Sequence, residues 1–199
     1  MLSIQNLLLE LDGWPLRYNM QIETGEIVAI QGVSGVGKTT LLNLIGGYQT
    51  PDSGSIEWNR TTLNHLPVEK RPVSILFQDH NLFEHISVMH NLCLGFKDEA
   101  PLAAIKNATH FLEVSQHLDK KPAALSGGQR QRIALIRTLL RPEPIVLLDE
   151  PFAELDPMTR EKSALWCKEQ AKSSGKTVLL VTHQDEDVER MADRRIVLS

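Results

Sequence analysis

The residues from Gly32 to Thr40 carry the most specific chemical pattern in this chain of 199 residues. They match the spacing G-x-x-x-x-G-K-[ST] and directly follow an apolar run at 27–30. Glycines at these positions let successive backbone N–H groups point at phosphate oxygens, Lys38 adds a charge, and the Thr39 hydroxyl can bind Mg²⁺. A glycine-rich turn that matches by chance is the alternative. The pattern predicts a nucleotide phosphate loop whose binding residues are Gly32, Ser34, Gly35, Val36, Gly37, Lys38, Thr39 and Thr40.

An acidic pair follows a second apolar run, at 145–148. Asp149 ends that run, where an acid could hold Mg²⁺ beside the phosphate loop, and Glu150 could polarise an attacking water. Two solvated acids at the end of a strand are the alternative interpretation. Gln78 and His183 also end apolar runs, where a polar residue is more often an ordinary hydrogen-bonded group.

A second candidate anion site begins at Ser126, which is followed by Gly127, Gly128 and Gln129. Serine is a favoured helix N-cap, and the two glycines leave backbone N–H groups accessible to an anion. An ordinary capped helix is the alternative. Because the chain already contains one phosphate loop, we expect this second site to close over a nucleotide held by another copy, in a head-to-tail homodimer.

The intervening patterns predict the elements that position these residues. Apolar runs and turn residues indicate two antiparallel strands, followed by buried strands that alternate with helices. Such alternation predicts an α/β fold with a mostly parallel sheet and its loops gathered at the carboxyl ends of the strands. The predicted strands are 1–11, 16–22, 27–30, 55–58, 73–77, 145–148, 176–182 and 195–198, and the predicted helices are 87–96, 101–116, 126–141, 157–172 and one after the phosphate loop.

We predict a single domain over 1–199. Its core comprises 1–78 and 142–199, and a helical subdomain at 79–141 contains the second anion site. The formal net charge of -4 gives no electrostatic reason to expect nucleic acid. No apolar run approaches the ~18 residues of a membrane span. Cys93 and Cys167 form no metal or disulfide motif, so we expect a cytoplasmic protein.

Taken together and in this order, the motifs resemble those of the ATP-binding-cassette (ABC) family, whose LSGGQ signature matches 125–129. The resemblance implies a P-loop NTPase fold of the ABC ATPase type, with ATP and Mg²⁺ as cofactors. It implies metal binding through Thr39, Gln78 and Asp149, and catalysis through Glu150, which orients water, with His183, Lys38 and Gln78. It also implies that Asp156 couples the two sites of the dimer, alongside Ser126, Gly127, Gly128 and Gln129.

Within that family, the stretch 70–78 followed by Asn81, Leu82 and Phe83 resembles the ATPase subunit of bacterial thiamine importers. Iron(III), polyamine and sulfate importers share parts of this stretch. The resemblance implies transmembrane permease subunits as partners, a periplasmic or extracellular solute-binding protein as an indirect one, and a peripheral location at the cytoplasmic face of the inner membrane. A soluble cassette protein would normally carry a coiled-coil insertion or second cassette, and a small-molecule kinase would not need the second anion site.

Two local features complete the expectations. Where the family usually has an aromatic residue that stacks on adenine, this chain has Leu11, so we name Trp14 as the stacking candidate. The segment 79–96 combines polar and apolar residues and predicts a groove for a short helix of the permease. Its apolar residues, expected to be exposed, are Leu82, Ile86, Val88 and the proposed anchor Phe83.

Overall fold

The computed structural model describes residues 1–11, 13–79, 82–96 and 98–199. Asn81 of the importer-like stretch and residue 80 of the predicted groove lie outside these ranges. The described strands form one antiparallel sheet, in the order β2-β1-β4-β5, and one parallel sheet, in the order β6-β7-β8-β3-β9. In chain order the strands are β1 (Leu2–Leu11), β2 (Trp14–Ile22), β3 (Ile27–Gln31), β4 (Ser53–Trp58), β5 (Thr61–Thr62), β6 (Val73–Leu76), β7 (Ile145–Asp149), β8 (Thr177–Val181) and β9 (Arg194–Val197).

The central parallel strands are apolar because both of their faces are covered. Along β7, Val146 and Leu148 pack into one hydrophobic cluster with the helices, whereas Ile145 and Leu147 pack into a second cluster on the other face. The second cluster also contains the buried side of the antiparallel sheet. Continuous apolar runs are typical of such doubly covered strands. The predicted architecture, a mostly parallel core with an N-terminal antiparallel part and helices, is confirmed.

The helices include two whose predicted extents were wrong. They are α1 (Lys38–Gly46), α2 (Val88–Cys93), α3 (Leu102–Phe111), α4 (Gly127–Leu140), α5 (Pro157–Ser173) and α6 (Asp185–Met191). The predicted helix at 87–96 is shorter because its C-cap Leu94 is extended and Gly95 has a φ of 89°. The one at 101–116 ends early because Glu113 has a φ of 57°, and a 3-10 turn follows at Ser115–His117.

Three further expectations need correction. The strand predicted to reach Phe77 ends at Leu76. Val88 was expected to be exposed, but it is fully buried in the cluster that contains Leu92, because the first turn of α2 faces the core. Helix α6 was not predicted, although the three acidic residues in its first turn are typical of a helix N-terminus.

None of the helices in the described ranges combines the length and the apolar composition that crossing a bilayer requires.

Candidate nucleotide-binding site

A cavity of about 690 Å³ lies at the carboxyl ends of the central parallel strands, where four predicted motifs meet. The loop after β3 forms one wall, and the residues that follow β6, β7 and β8 form the others. The predicted site residues that line this cavity are Trp14, Ser34, Gly35, Gly37, Lys38, Thr39, Thr40, Gln78, Asp149, Glu150 and His183. The sequence therefore identified most of the polar groups that this end of the sheet brings together.

The phosphate loop is held in shape by its own lysine and by strand β2. Lys38 is buried, and its Nζ donates to the carbonyl oxygens of Gly32 and Val33 at 2.9 and 3.0 Å. The Tyr18 hydroxyl donates to the Gly37 carbonyl oxygen at 2.8 Å. Gly37 has a φ of 98°, and a β-carbon there would lie 2.4 Å from the Tyr18 oxygen. This position therefore requires glycine.

Gly32 and Val36 do not line the cavity, although they were predicted to bind the nucleotide. A β-carbon at Gly32 would lie 2.9 Å from Cγ1 of Val36 and 2.6 Å from the Leu198 carbonyl oxygen. The close approach of Val36 and Leu198 leaves no room for a side chain at position 32. The predicted contact of Gly32 and Val36 with a nucleotide remains a prediction.

Asp149 and Thr39 form a pair of oxygen donors at the base of the cavity. Asp149 is the last residue of β7 and is only 5% exposed. Burial raises the pKa of its carboxyl group, and the hydrogen bond from the Thr39 side chain and the charge of Lys38 oppose this shift. Carboxylate and hydroxyl oxygens are ligands that Mg²⁺ prefers. The pair fits the predicted Mg²⁺ site, which Gln78 borders at the end of β6.

Glu150 has the properties of a general base. Its φ of 47° is left-handed, a conformation that costs a non-glycine residue about 1–3 kcal/mol and is found preferentially at functional sites. Its Oε1 lies 3.3 Å from His183 Nε2, yet this buried oxygen accepts no hydrogen bond from the described residues. Burial raises the pKa of the carboxyl group, against the opposing charge of His183. A partly buried carboxylate with a raised pKa at the wall of a cavity is suited to act as a general base.

Trp14 and Leu11 lie beside each other at the open end of the cavity. They are paired across the first hairpin, so their side chains project from the same face of the sheet. Trp14 is 75% exposed and Leu11 is 39% exposed. Both residues therefore remain available to contact a nucleotide base.

The residues of the second anion site do not line the cavity of their own chain. Ser126 caps α4 in the predicted way, since its Oγ accepts from the Gln129 N–H at 3.3 Å. Gln129 Oε1 in turn accepts from the Ser126 N–H at 3.0 Å, so the Gln129 side chain is part of the helix cap. Gly127 is exposed, and a β-carbon there would collide with the Glu154 carboxylate. The start of α4 is thus a surface feature.

Asp156 also lies outside the cavity. It is the exposed N-cap of α5, and its Oδ1 accepts from the Thr159 N–H at 3.1 Å.

Sequence reasoning did not identify Leu16, Ala153 and Val181, which also line the cavity, or Tyr18, which supports its loop. Tyr18 and Leu16 belong to β2, and the pattern of that strand predicts only which residues face inward. Their contact with the phosphate loop depends on how the two sheets pack, which no local pattern encodes.

Comparisons with known proteins agree with this geometry. A family model described as ABC transporter matches residues 16–153. The thiamine import ATP-binding protein ThiQ of Escherichia coli strain K12 is 43% identical over 190 residues, covering 93% of this chain and 82% of that protein. ThiQ of Shigella sonnei strain Ss046 has the same identity and coverage. A solved dimer of the ATP-binding cassette MJ0796 in a post-hydrolysis state with ADP and Pi has a TM-score of 0.88 and 29% identity, and it covers all of this chain and 94% of that one.

Proposed function

Because the chain belongs to the ABC transporter family, we propose that it hydrolyses ATP in the cavity at the end of its parallel sheet to energise thiamine import through a membrane permease. The observation that carries this proposal is the meeting of the phosphate loop, Asp149 and Glu150 in one cavity. The identity to ThiQ from two organisms favours thiamine over the other importer substrates.

The residues divide the work of hydrolysis between binding and proton transfer. Lys38 and the loop N–H groups bind the phosphates, and Thr39, Asp149 and Gln78 would hold Mg²⁺, which would neutralise phosphate charge. Glu150 orients the attacking water and accepts its proton. His183, 3.3 Å from that oxygen, hydrogen-bonds the γ-phosphate and stabilises the charge that develops on it.

The second anion site acts on a second copy of the chain. Ser126 and Gly127 are exposed and lie outside the cavity of their own subunit, so they are free to contact a nucleotide in another. The MJ0796 cassette, similar over 94% of its chain, is a dimer with bound ADP and Pi. A head-to-tail homodimer would place one α4 start over each phosphate loop, with Gln129 and Asp156 near the interface.

A groove next to Gln78 suits the permease. It has a volume of about 290 Å³, and Phe83 lies at its edge with 48% of its surface exposed. Aromatic residues that remain exposed beside a groove are typical anchors for a partner helix. Its other aromatic and basic lining residues are Tyr48, Arg71, Phe77, Arg137 and Arg141. Binding there would hold the protein at the cytoplasmic face of the membrane, with a solute-binding protein on the opposite side.

Vesicle transport tests the substrate. The protein is assembled with its permease and solute-binding protein in proteoliposomes that enclose ATP and display the solute-binding protein outside. We expect ATP-dependent uptake of labelled thiamine, and no uptake by the Glu150→Gln variant. Uptake of iron(III), a polyamine or sulfate in place of thiamine would refute the assignment of substrate while leaving the ATPase assignment intact.

A further inference from the structure

A buried ion pair joins helices α5 and α6 directly behind the catalytic His183. The Arg160 guanidinium donates to both carboxylate oxygens of Asp187, from Nε at 2.7 Å and from Nη2 at 2.6 Å. Asp187 is 1% exposed, and the Arg160 side chain is 16% exposed. A bidentate pair with this degree of burial has one strongly preferred geometry. It therefore fixes the two helices relative to each other.

The same carboxylate also holds the residue that precedes His183. The Thr182 hydroxyl donates to Asp187 Oδ2 at 2.8 Å and accepts from the Gln184 N–H at 3.2 Å. Thr182 is fully buried, whereas the His183 side chain is half exposed. The backbone on both sides of His183 is thus anchored through one hydroxyl group.

The other end of the pair lies in the first turn of α5. The Arg160 N–H donates to the carbonyl oxygen of the helix N-cap Asp156 at 2.8 Å. Asp187 raises the pKa of Arg160 through their hydrogen bonds, and the charge of Glu150 adds to this shift. Arg160 therefore lies within electrostatic reach of the Glu150 carboxylate. It also lies one helical turn from Asp156, the proposed dimer-coupling residue.

We propose that Arg160, Asp187 and Thr182 form a positioning relay that sets the orientation of His183 according to the position of the α5 N-terminus. The proposal rests on the catalytic role assigned to His183 under the proposed function. Packing of another subunit against Asp156 would move the first turn of α5, and the rigid ion pair would pass this movement to Thr182. None of the three relay residues lines the cavity, whereas His183 does, so we expect them to act through His183.

Replacement of the Thr182 hydroxyl tests the relay with the ion pair left intact. In Thr182→Val, the hydroxyl is lost at nearly constant volume, whereas Thr182→Ser keeps it. We expect kcat for ATP hydrolysis to fall roughly tenfold in Thr182→Val, as for loss of one coupled contact, with KM for ATP unchanged within about twofold. Thr182→Ser should recover most of the rate. Asp187→Asn should lower kcat in the same way.

A nearby ion pair between the same helices provides the control. Glu161 on α5 lies 3.9 Å from Arg190 on α6, and 56% of its side chain is exposed. Glu161→Gln should leave kcat unchanged. If these contacts only stabilise the packing of α5 against α6, Glu161→Gln and Thr182→Val should change kcat by the same factor. That result would overturn the relay.

The imidazole of His183 supplies a readout that does not depend on turnover. Labelled histidine gives resonances for the seven histidines, and His183→Ala identifies the one from His183. We expect Thr182→Val and Asp187→Asn to shift this resonance and Glu161→Gln to leave it in place. An unshifted resonance with normal kcat, or failure of both relay variants to fold, would show a structural role only and overturn the proposal. If His183→Ala loses hydrolysis while Thr182→Val and Asp187→Asn keep a normal kcat, the relay is refuted and the role of His183 stands. Full activity of His183→Ala would refute the proposed role of His183 itself.

Discussion

Glu150 shows how a single backbone conformation can prepare a catalytic group. Strand β7 ends at Asp149, and the left-handed φ of Glu150 turns the chain while its N–H still bonds the Val181 carbonyl oxygen at 3.0 Å. The two adjacent carboxylates have different contacts: Asp149 bonds Thr39, and Glu150 Oε1 lies 3.3 Å from His183 Nε2. Neighbouring acids in different environments can divide metal binding and base catalysis in this way.

Trp14 is the residue for which we predict an effect on base recognition. An indole stacked on adenine contributes about 1–2 kcal/mol to binding. We therefore expect Trp14→Ala to weaken ATP binding by roughly tenfold, and Trp14→Phe to retain most of the affinity. Isothermal titration calorimetry with ATP measures both effects. Leu11→Ala is the control for general loss of apolar contact. Unchanged affinity in Trp14→Ala would assign the base contact to Leu11 and predict weak discrimination between ATP and GTP.

The sequence could identify the residues whose chemistry is encoded by local spacing, such as Lys38, Asp149 and Ser126. It could not identify Tyr18, Arg160 or Asp187 as parts of the site. Their partners lie 19 and 27 positions away along the chain. Contacts at such separation are set by the packing of elements, and a single sequence carries no direct record of them.

The elements that were predicted best are those whose residues are buried on both faces. Strands β3, β7 and β8 are continuous apolar runs, so their existence was clear and their ends were correct within one or two residues. The short helices α2 and α3 were less accurate because their ends depend on single backbone conformations at Leu94 and Glu113. Helix α6 follows His183 with seven residues, too few for a clear helical period.

The segment that carries Phe83 is pinned to α2 and exposes only part of its apolar surface. Asn91 is fully buried and bonds both the N–H and the carbonyl oxygen of Phe83, at 2.8 and 3.1 Å. The Phe83 ring lies 6.0 Å from the Arg137 guanidinium carbon at the edge of the groove. This arrangement fixes the backbone of the anchor residue before any partner binds.

We predict that Phe83→Ala separates assembly from catalysis. The backbone contacts of Phe83 remain in this variant, so the melting temperature and the ATPase rate of the isolated protein should stay close to wild type. Co-purification with the permease should be strongly reduced, and thiamine uptake in vesicles should be lost. Phe111→Ala is a matched control, because Phe111 is also about half exposed and lies beside a lysine, but it does not line the groove. Normal assembly of Phe83→Ala, or unfolding of this variant, would contradict the anchor role.

At the scale of the whole molecule, the proposed function gives one subunit two anion sites that would serve the same nucleotide only with a second copy. The phosphate loop lines the cavity, while Ser126 and Gly127 lie exposed outside it. Two copies related by a twofold axis complete both sites at once, because each contributes its loop to one site and its α4 start to the other. ATP binding and dimer closure are then a single coupled event.

The molecular mass of Glu150→Gln with and without ATP is the most direct test of this account, measured by sedimentation equilibrium. The amide keeps the shape of the side chain but cannot accept the proton of water, so ATP should remain bound. We predict a dimer in the presence of ATP and Mg²⁺ and a monomer in their absence. Addition of Ser126→Arg to this variant should keep the protein monomeric while ATP binding persists. A Glu150→Gln protein that stays monomeric with ATP bound, or a dimer that survives Ser126→Arg, would contradict the account.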